Sequence, residues 1–459
     1  MRRGLLPGLV FSFMALSCGL GNLPGATRVR YDIPADFLGM VHAGKETEPG
    51  KAAREDELME ALGFEWVVNT FYWNTIQPAA FQDLPADQWN WEGADRYVIH
   101  AREEGKKINI VLGYDVGWIH PDGNTHKYIP PEYLDEFLQF IAAVVLRYQG
   151  QVDAWTVWNE PNAPNFWDGP AEELFELVRQ GTGRIRELDD AVIIIAGGFN
   201  QVNPGFAKAM FSSGALDGAD YVSYHPYSLN PVMTLLTYNS FWEIARKYGF
   251  QDRIWVTEVG YPTGGAGNFE ANIRRVEEGR MTSFVVKTIV ELAVAGARRI
   301  FWYNLFDADP GKIAQTPHDT EHYFGLVNYD DEFSLKSGAL SFALCARYIP
   351  SSRYDSSLPG TKDLPAMIQA FYFQGIGNRE GQDTLVLWNN SGADVPLRLI
   401  LPGTGHEIHY PEAPGFDECS RPLEYDDAQG LVLLLDSTAP RFITWDNPAG
   451  EVCEIRRVE

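Results

Sequence analysis

Val152-Asp153-Ala154-Trp155-Thr156-Val157-Trp158-Asn159-Glu160-Pro161-Asn162 is a short apolar run that ends in a carboxylate and a turn. A second run, Arg253-Ile254-Trp255-Val256-Thr257-Glu258-Val259-Gly260, ends the same way. An acid just past a buried strand, walled by Trp and followed by Pro or Gly, is poorly placed for solubility. It is well placed at the mouth of a barrel of parallel strands, where the C-terminal strand ends carry the chemistry. Working outward from these two runs gives eight strand candidates: Phe37–His42, Glu65–Asn69, Lys107–Gly113, Val152–Trp158, Val192–Ala196, Asp220–Tyr224, Arg253–Thr257 and Arg299–Tyr303.

Helical patterns lie between them. In Glu132–Gln149 the residues Leu134, Phe137, Leu138, Ile141, Val145 and Tyr148 recur at helical spacing, after Pro130-Pro131 and before Gly150. Met281–Ala295 is a second amphipathic run that stops at Gly296. Eight strands, nearly each followed by a helix, predict a (β/α)8 TIM barrel over residues 30–348. After Pro350 strand-like runs follow one another without helices: Ala366–Phe373, Thr384–Trp388, Leu397–Leu401, Leu431–Asp436 and Phe442–Trp445. Residues 349–459 therefore read as a small C-terminal β-sandwich domain. Asn389-Asn390-Ser391 in that region is a formal glycosylation sequon.

The chain of 459 residues has 45% apolar and 22% charged residues, a globular composition. A formal charge of −25 excludes a nucleic-acid partner, whose phosphates need a basic footprint. Arg2 and Arg3, the apolar stretch Gly4–Ser17 and the small residues of Ala15-Leu16-Ser17 read as a signal peptide over residues 1–18. Cys18 directly after them resembles the acceptor of a lipoprotein signal. The expectation is export, as a secreted, periplasmic or surface-anchored protein, with the membrane touched only through a lipid on Cys18. Of the remaining Cys345, Cys419 and Cys453, the last two are the pair placed in one domain, where export permits a disulfide. No CxxC or HExxH spacing appears, so neither a metal nor another cofactor is expected. His318, Asp319, Glu321 and His322 read as a solvated loop after strand eight, and Gly264-Gly265-Ala266-Gly267 as a flexible stretch after strand seven.

Trp158-Asn159-Glu160-Pro161-Asn162 and Trp255-Val256-Thr257-Glu258-Val259-Gly260 resemble the two signatures of the clan A glycoside hydrolases, retaining (β/α)8 enzymes. Ile110–Tyr114 with Trp118 resembles the clan's third-strand segment, Ser223–Tyr227 its sixth and Ile300–Asn304 its eighth. The nearest likeness is to glycoside hydrolase family 39 and related polysaccharide-cleaving enzymes. The resemblance implies Glu160 as general acid/base and Glu258 as nucleophile, acting on a polysaccharide or oligosaccharide. It implies Asn159 on the sugar 2-OH, His225 and Tyr227 beside Glu258, and Trp302 as a platform under the sugar. Trp73, Tyr114, Trp118, Trp167 and Tyr261 are further aromatic cleft candidates, since sugar faces stack on such rings. One departure stands out. Many clan members carry an Arg on the second strand close to the nucleophile, whereas here Val68 and Asn69 occupy that stretch and Gln77-Pro78 replaces a common Glu-Pro. Losing that cation makes Glu258 harder to ionise, which keeps a weak or inactive carbohydrate-binding barrel, or a transglycosylase, as the alternative readings.

Overall fold

The computed structural model describes residues 30–81, 83–265, 274–356, 364, 367–412, 419–423, 430–437, 439–450 and 453–457. The expected leader, Cys18, Ala266 and Gly267 lie outside them. Strand β1 (Arg30–Ile33) comes first. The barrel follows as β2 (Leu38–Val41), β3 (Trp66–Tyr72), β4 (Lys107–Gly113), β5 (Ala154–Val157), β6 (Ile193–Asn200), β7 (Tyr221–His225), β8 (Ile254–Val259) and β9 (Arg299–Trp302). Each strand runs parallel to the next and β9 pairs back onto β2, closing the cylinder. All eight strands fall where the apolar runs predicted, so the fold is a TIM barrel.

The predicted helix after β4 forms over Leu134–Arg147 and buries Phe137, Phe140, Ile141, Val144 and Val145 on one stripe. Gly150, at φ 72°, ends the segment in the left-handed conformation open to glycine. Val41, Trp66, Val68, Val111, Ala154, Ile195, Trp255 and Phe301 fill the cylinder itself. At its N-terminal end the Trp66 and Trp255 rings meet edge to face at 5.2 Å, and Trp255 stacks on Phe301 at 5.8 Å. Asp36 closes that end: it accepts from Lys107 Nζ at 2.6 Å and from the Trp66 indole at 3.2 Å, and pairs with Arg299 at 2.6 Å. Burial pushes the Asp36 carboxyl up, but the bonds and charges of Lys107 and Arg299 outweigh it and hold the group below the usual carboxylate range.

The remaining strands are β10 (Ser352–Asp355), β11 (Ile368–Gly375), β12 (Gln382–Asn389), β13 (Val395–Ile400), β14 (Thr404–His409), β15 (Ser420–Pro422), β16 (Leu431–Leu435), β17 (Arg441–Asp446) and β18 (Glu454–Arg457). They build a seven-stranded sheet, β1-β10-β11-β12-β17-β14-β15, over a three-stranded one, β16-β13-β18. In β12, Val386 and Trp388 join the core shared with the barrel, while Leu385 and Leu387 join the core between the sheets. A strand covered on both faces loses the apolar/polar alternation, and its sequence reads as one apolar run.

Three expectations need correction. Residues 30–33 do not belong to the barrel: β1 pairs antiparallel with β10 in the sandwich sheet. No disulfide joins Cys419 and Cys453: both are buried thiols, Cys419 in the core shared with the barrel and Cys453 in the core between the sheets. The sequon is closed, because Asn389 is 3% exposed and its amide donates to the carbonyls of Ala393 and Leu435. Among the described residues, no helix is long and apolar enough to cross a membrane.

Candidate active site

Glu160 sits in the turn just past β5, and Glu258 near the end of β8, three strands round the cylinder. The turn after β5 is strained: Trp158 and Glu160 adopt φ of 64° and 46°, on either side of Asn159. Left-handed backbone at a non-glycine residue costs about 1–3 kcal/mol and persists only where neighbours over-determine it. Here the neighbour is β6. Asn162 donates to the carbonyl of Asn200 at 2.6 Å and accepts from its N–H at 2.8 Å. The Asn200 side chain then donates to Glu160 Oε2 at 3.1 Å. Gly198, at φ 51°, allows this approach, since a Cβ there would lie 3.0 Å from the Glu160 nitrogen. Gly260 serves the other acid: a Cβ would stand 1.9 Å from the Tyr303 carbonyl oxygen, so β8 and β9 close only over glycine.

The two acids converge. One carboxylate oxygen of each, with a ring nitrogen of His225, all lie within 4.8 Å of one another. His225 Nδ1 is 2.7 Å from Glu160 Oε1 and 3.6 Å from Glu258 Oε2, while Nε2 is 2.9 Å from the Thr257 hydroxyl. Tyr227 donates its phenol to Glu258 Oε2 at 2.8 Å. Two proton arrangements fit these atoms. With Thr257 donating to Nε2, the imidazole donates from Nδ1 to an ionised Glu160. With Nε2 protonated, a protonated Glu160 donates to Nδ1. His225 is 1% exposed, and burial pushes its pKa down against the pull of Glu258, favouring the neutral ring that both arrangements need.

Glu258 departs from the expectation for a readily ionised nucleophile. Burial first pushes its carboxyl up to about 7, with the charges of Glu160 and Glu321 adding, while His225 and the Tyr227 hydroxyl pull it down. None of these groups is an Arg or Lys, and of Val68 and Asn69, which occupy the stretch where many clan members carry an Arg, Val68 is packed inside the cylinder.

The structure gathers Asn159, His225, Tyr227 and Tyr114 around the acids. Tyr114 packs edge-on against Trp158 at 5.2 Å, is bonded by the Asn159 side chain, and feels both glutamates. The other aromatic candidates lie elsewhere. Trp302 is fully buried, facing Tyr261 behind the barrel wall. Tyr261, 1% exposed, bonds Thr234 and Thr288. Trp73 is fully buried against Phe137 and Phe140, and Trp118 packs on Trp73 and donates to the Gln77 carbonyl. Trp167, 6% exposed, lies against Trp158 and donates to the Pro170 carbonyl. All five belong to the shell between strands and helices.

In place of Trp302 the next residue, Tyr303, faces inward. Its ring meets Tyr227 at 6.2 Å and His42 at 5.4 Å, and its hydroxyl bonds Glu321. Glu321 is therefore half-buried against Tyr303 rather than part of an open loop. Burial pushes it up to about 7, with Asp319 and Glu160 adding and the Tyr303 bond opposing. Asp319 remains an exposed cap, accepting from the Glu321 N–H at 3.0 Å. Glu160, His225 and Glu258 also offer the donor types of a divalent-ion site, but both His225 nitrogens are engaged, one by Glu160 and one by Thr257.

No protein-family model fits the sequence, and no curated protein matches it. Solved structures do match. A family 39 glycoside hydrolase from Bacteroides cellulosilyticus WH2 superposes with a TM-score of 0.68 at 19% identity, covering 90% of this chain and 81% of that one. A GH30 endoxylanase from Clostridium papyrosolvens C71 gives 0.61 at 13%, covering 91% and 98%. A family 51 α-L-arabinofuranosidase from Bifidobacterium longum gives 0.63 at 13%, covering 91% and 97%. The chain shares its fold with glycoside hydrolases. The sequence resemblance thus holds for the architecture, barrel and sandwich together, while the activity has to be argued from the site.

Proposed function

We propose that the protein is a retaining glycoside hydrolase that cleaves O-glycosidic bonds of a polysaccharide or oligosaccharide by double displacement. The observation that carries this is that one carboxylate oxygen of Glu160 and one of Glu258 come within 4.8 Å of each other across the barrel mouth. Carboxyl groups about 5–5.5 Å apart suit a covalent glycosyl-enzyme intermediate, whereas inversion needs roughly 6.5–9.5 Å to admit a water. In this reading Glu160, protonated and donating to His225 while the site is empty, delivers its proton to the leaving oxygen. Glu258 attacks the anomeric carbon, held by the Tyr227 hydroxyl. Glu160, now ionised, takes a proton from the incoming water as the water oxygen attacks the anomeric carbon and the bond to Glu258 breaks.

The test is trapping with a panel of activated 2-fluoro-sugars, read by mass spectrometry of the digested protein. A stable adduct on the peptide carrying Glu258 supports the proposal. An adduct elsewhere, or none with any sugar, overturns it. The rise of Glu258 to about 7 gives the binding-barrel reading its one specific support, because an acid that resists ionising attacks slowly.

A further inference from the structure

Between the loop after β2, the end of β3 and the helix Glu92–Glu103 lies a cavity of about 310 Å³. That volume is at the lower end for ligand pockets and suits one sugar ring. Tyr72 forms one of its walls. Its ring stands 6.0 Å from that of Tyr114, which packs on Trp158 at 5.2 Å beside Asn159 and Glu160, so one aromatic wall separates the cavity from the candidate active site. The lining is unusual for this chain. Acidic residues outnumber basic ones by 62 to 37 overall, yet the cavity wall contains Lys45 and Arg96 and no carboxylate. Neither cation makes an ion pair among the described residues, while Asn69, Thr75 and Asn90 add neutral polar groups.

A third cation stands close by. Lys312, from the helix Pro310–Gln315 after β9, acts on both Lys45 and His42 as a like charge. Packing of the surroundings lowers the pKa of the Lys45 ammonium, the attraction of Glu55 opposes this, and Lys312 adds a smaller lowering. The Glu55 carboxylate itself is taken up by the N–H groups of Gly44, Lys45 and Glu46, which fix the loop that carries Lys45. The loop after β2 and two helices thus bring Lys45, Arg96 and Lys312 to one side of the mouth, an arrangement whose charge an anion would neutralise. We infer that this cavity binds an anionic substituent of the sugar next to the bond being cleaved, so that the substrate is an acidic glycan. The inference rests on the proposed glycosidase reading and names its substrate class. The shared chemistry is a sugar-borne anion, either a uronate carboxylate or a sulfate ester.

The experiment uses the full-length Glu258→Gln protein, which should bind without cleaving. Calorimetric titrations would compare uronate oligosaccharides, their carboxyl-reduced counterparts, and neutral-backbone oligosaccharides with and without sulfate, at two salt concentrations. At least a tenfold tighter Kd for an acidic ligand than for its neutral partner is expected, weakening with salt. The acidic series that shows the preference identifies the anion. In Lys45→Met and Arg96→Met, each on the Glu258→Gln background, the acid-to-neutral affinity ratio should fall at least fivefold. Binding of neutral and acidic glycans alike, or a ratio untouched by both variants, overturns the inference and leaves the glycosidase reading standing. Failure of every glycan to bind overturns both.

Discussion

The two ends of the barrel are built from the same strands and do opposite things. At the start of β3, β8 and β9 stand Trp66, Trp255 and Phe301, packed ring on ring and sealed by Asp36 with Lys107 and Arg299. At or just beyond the other ends of those strands stand Tyr72, Glu258 and Tyr303. The closed end buries a carboxylate with two cations and gains stability from it. The open end half-buries Glu258 and Glu321 with no such pair of cations, and both are pushed up to about 7. One strand set therefore stores stability at one end and holds a cost at the other, as expected where preorganised chemistry is kept.

The largest test of that contrast is Glu258→Gln. Turnover should fall at least about 10⁴-fold on every substrate, aryl glycosides included. Stability should move the other way. A carboxyl raised in the folded state stabilises fully below its unfolded value, and that contribution is lost as pH climbs through about 7. The variant should thus melt a few degrees higher than the parent at pH 8 and at the same temperature near pH 4. Equal melting at both pH values breaks the comparison. Glu160→Gln should follow, with about 10³-fold loss on substrates with poor leaving groups and a much smaller loss on activated aryl glycosides. A uniform loss would take the acid role from Glu160.

At the closed end, Trp255→Ala should cost about 3–5 kcal/mol in denaturant unfolding while the pH profile of the remaining activity stays in place. A displaced profile would mean that the two ends are not separable. Smaller effects sharpen the picture at the mouth. Tyr227→Phe removes a donor to ionised Glu258, so the ascending limb of kcat/KM should move to higher pH by up to about one unit. Glu321→Gln removes a like charge and should move it lower by a similar amount. Shifts in the same direction would contradict the assignment of that limb to Glu258. Least of all, prolonged treatment with EDTA should change kcat/KM by less than about twofold. A large loss restored by one divalent ion would turn Glu160, His225 and Glu258 into a metal site.

Much of this was legible in the residues, and the failures have physical causes. The placement of both acids was legible because each closes a strand with its own turn signal, whereas Asn159, His225 and Tyr227 entered only through the family resemblance. Trp302 was mistaken for Tyr303 because Ile300-Phe301-Trp302-Tyr303 is apolar throughout, so nothing in the pattern sets which side chain faces in. Asn200 was missed because Gly197-Gly198 reads as the end of a strand. Both glycines instead take positive φ, and β6 continues past them to reach Glu160. Glu321 lies 19 residues beyond the end of β9 (321 − 302), and the path of such a loop is decided by tertiary contacts that no local pattern encodes.

Strand β1 has a practical consequence. Because Arg30–Ile33 pairs with Ser352–Asp355, the start of the described chain is stitched to the sheet formed by its last hundred residues. A protein shortened after Tyr348 would strand that segment with an open hydrogen-bonding edge and bare the helices beneath. Anyone dissecting this molecule by truncation should expect aggregation, not a free-standing barrel.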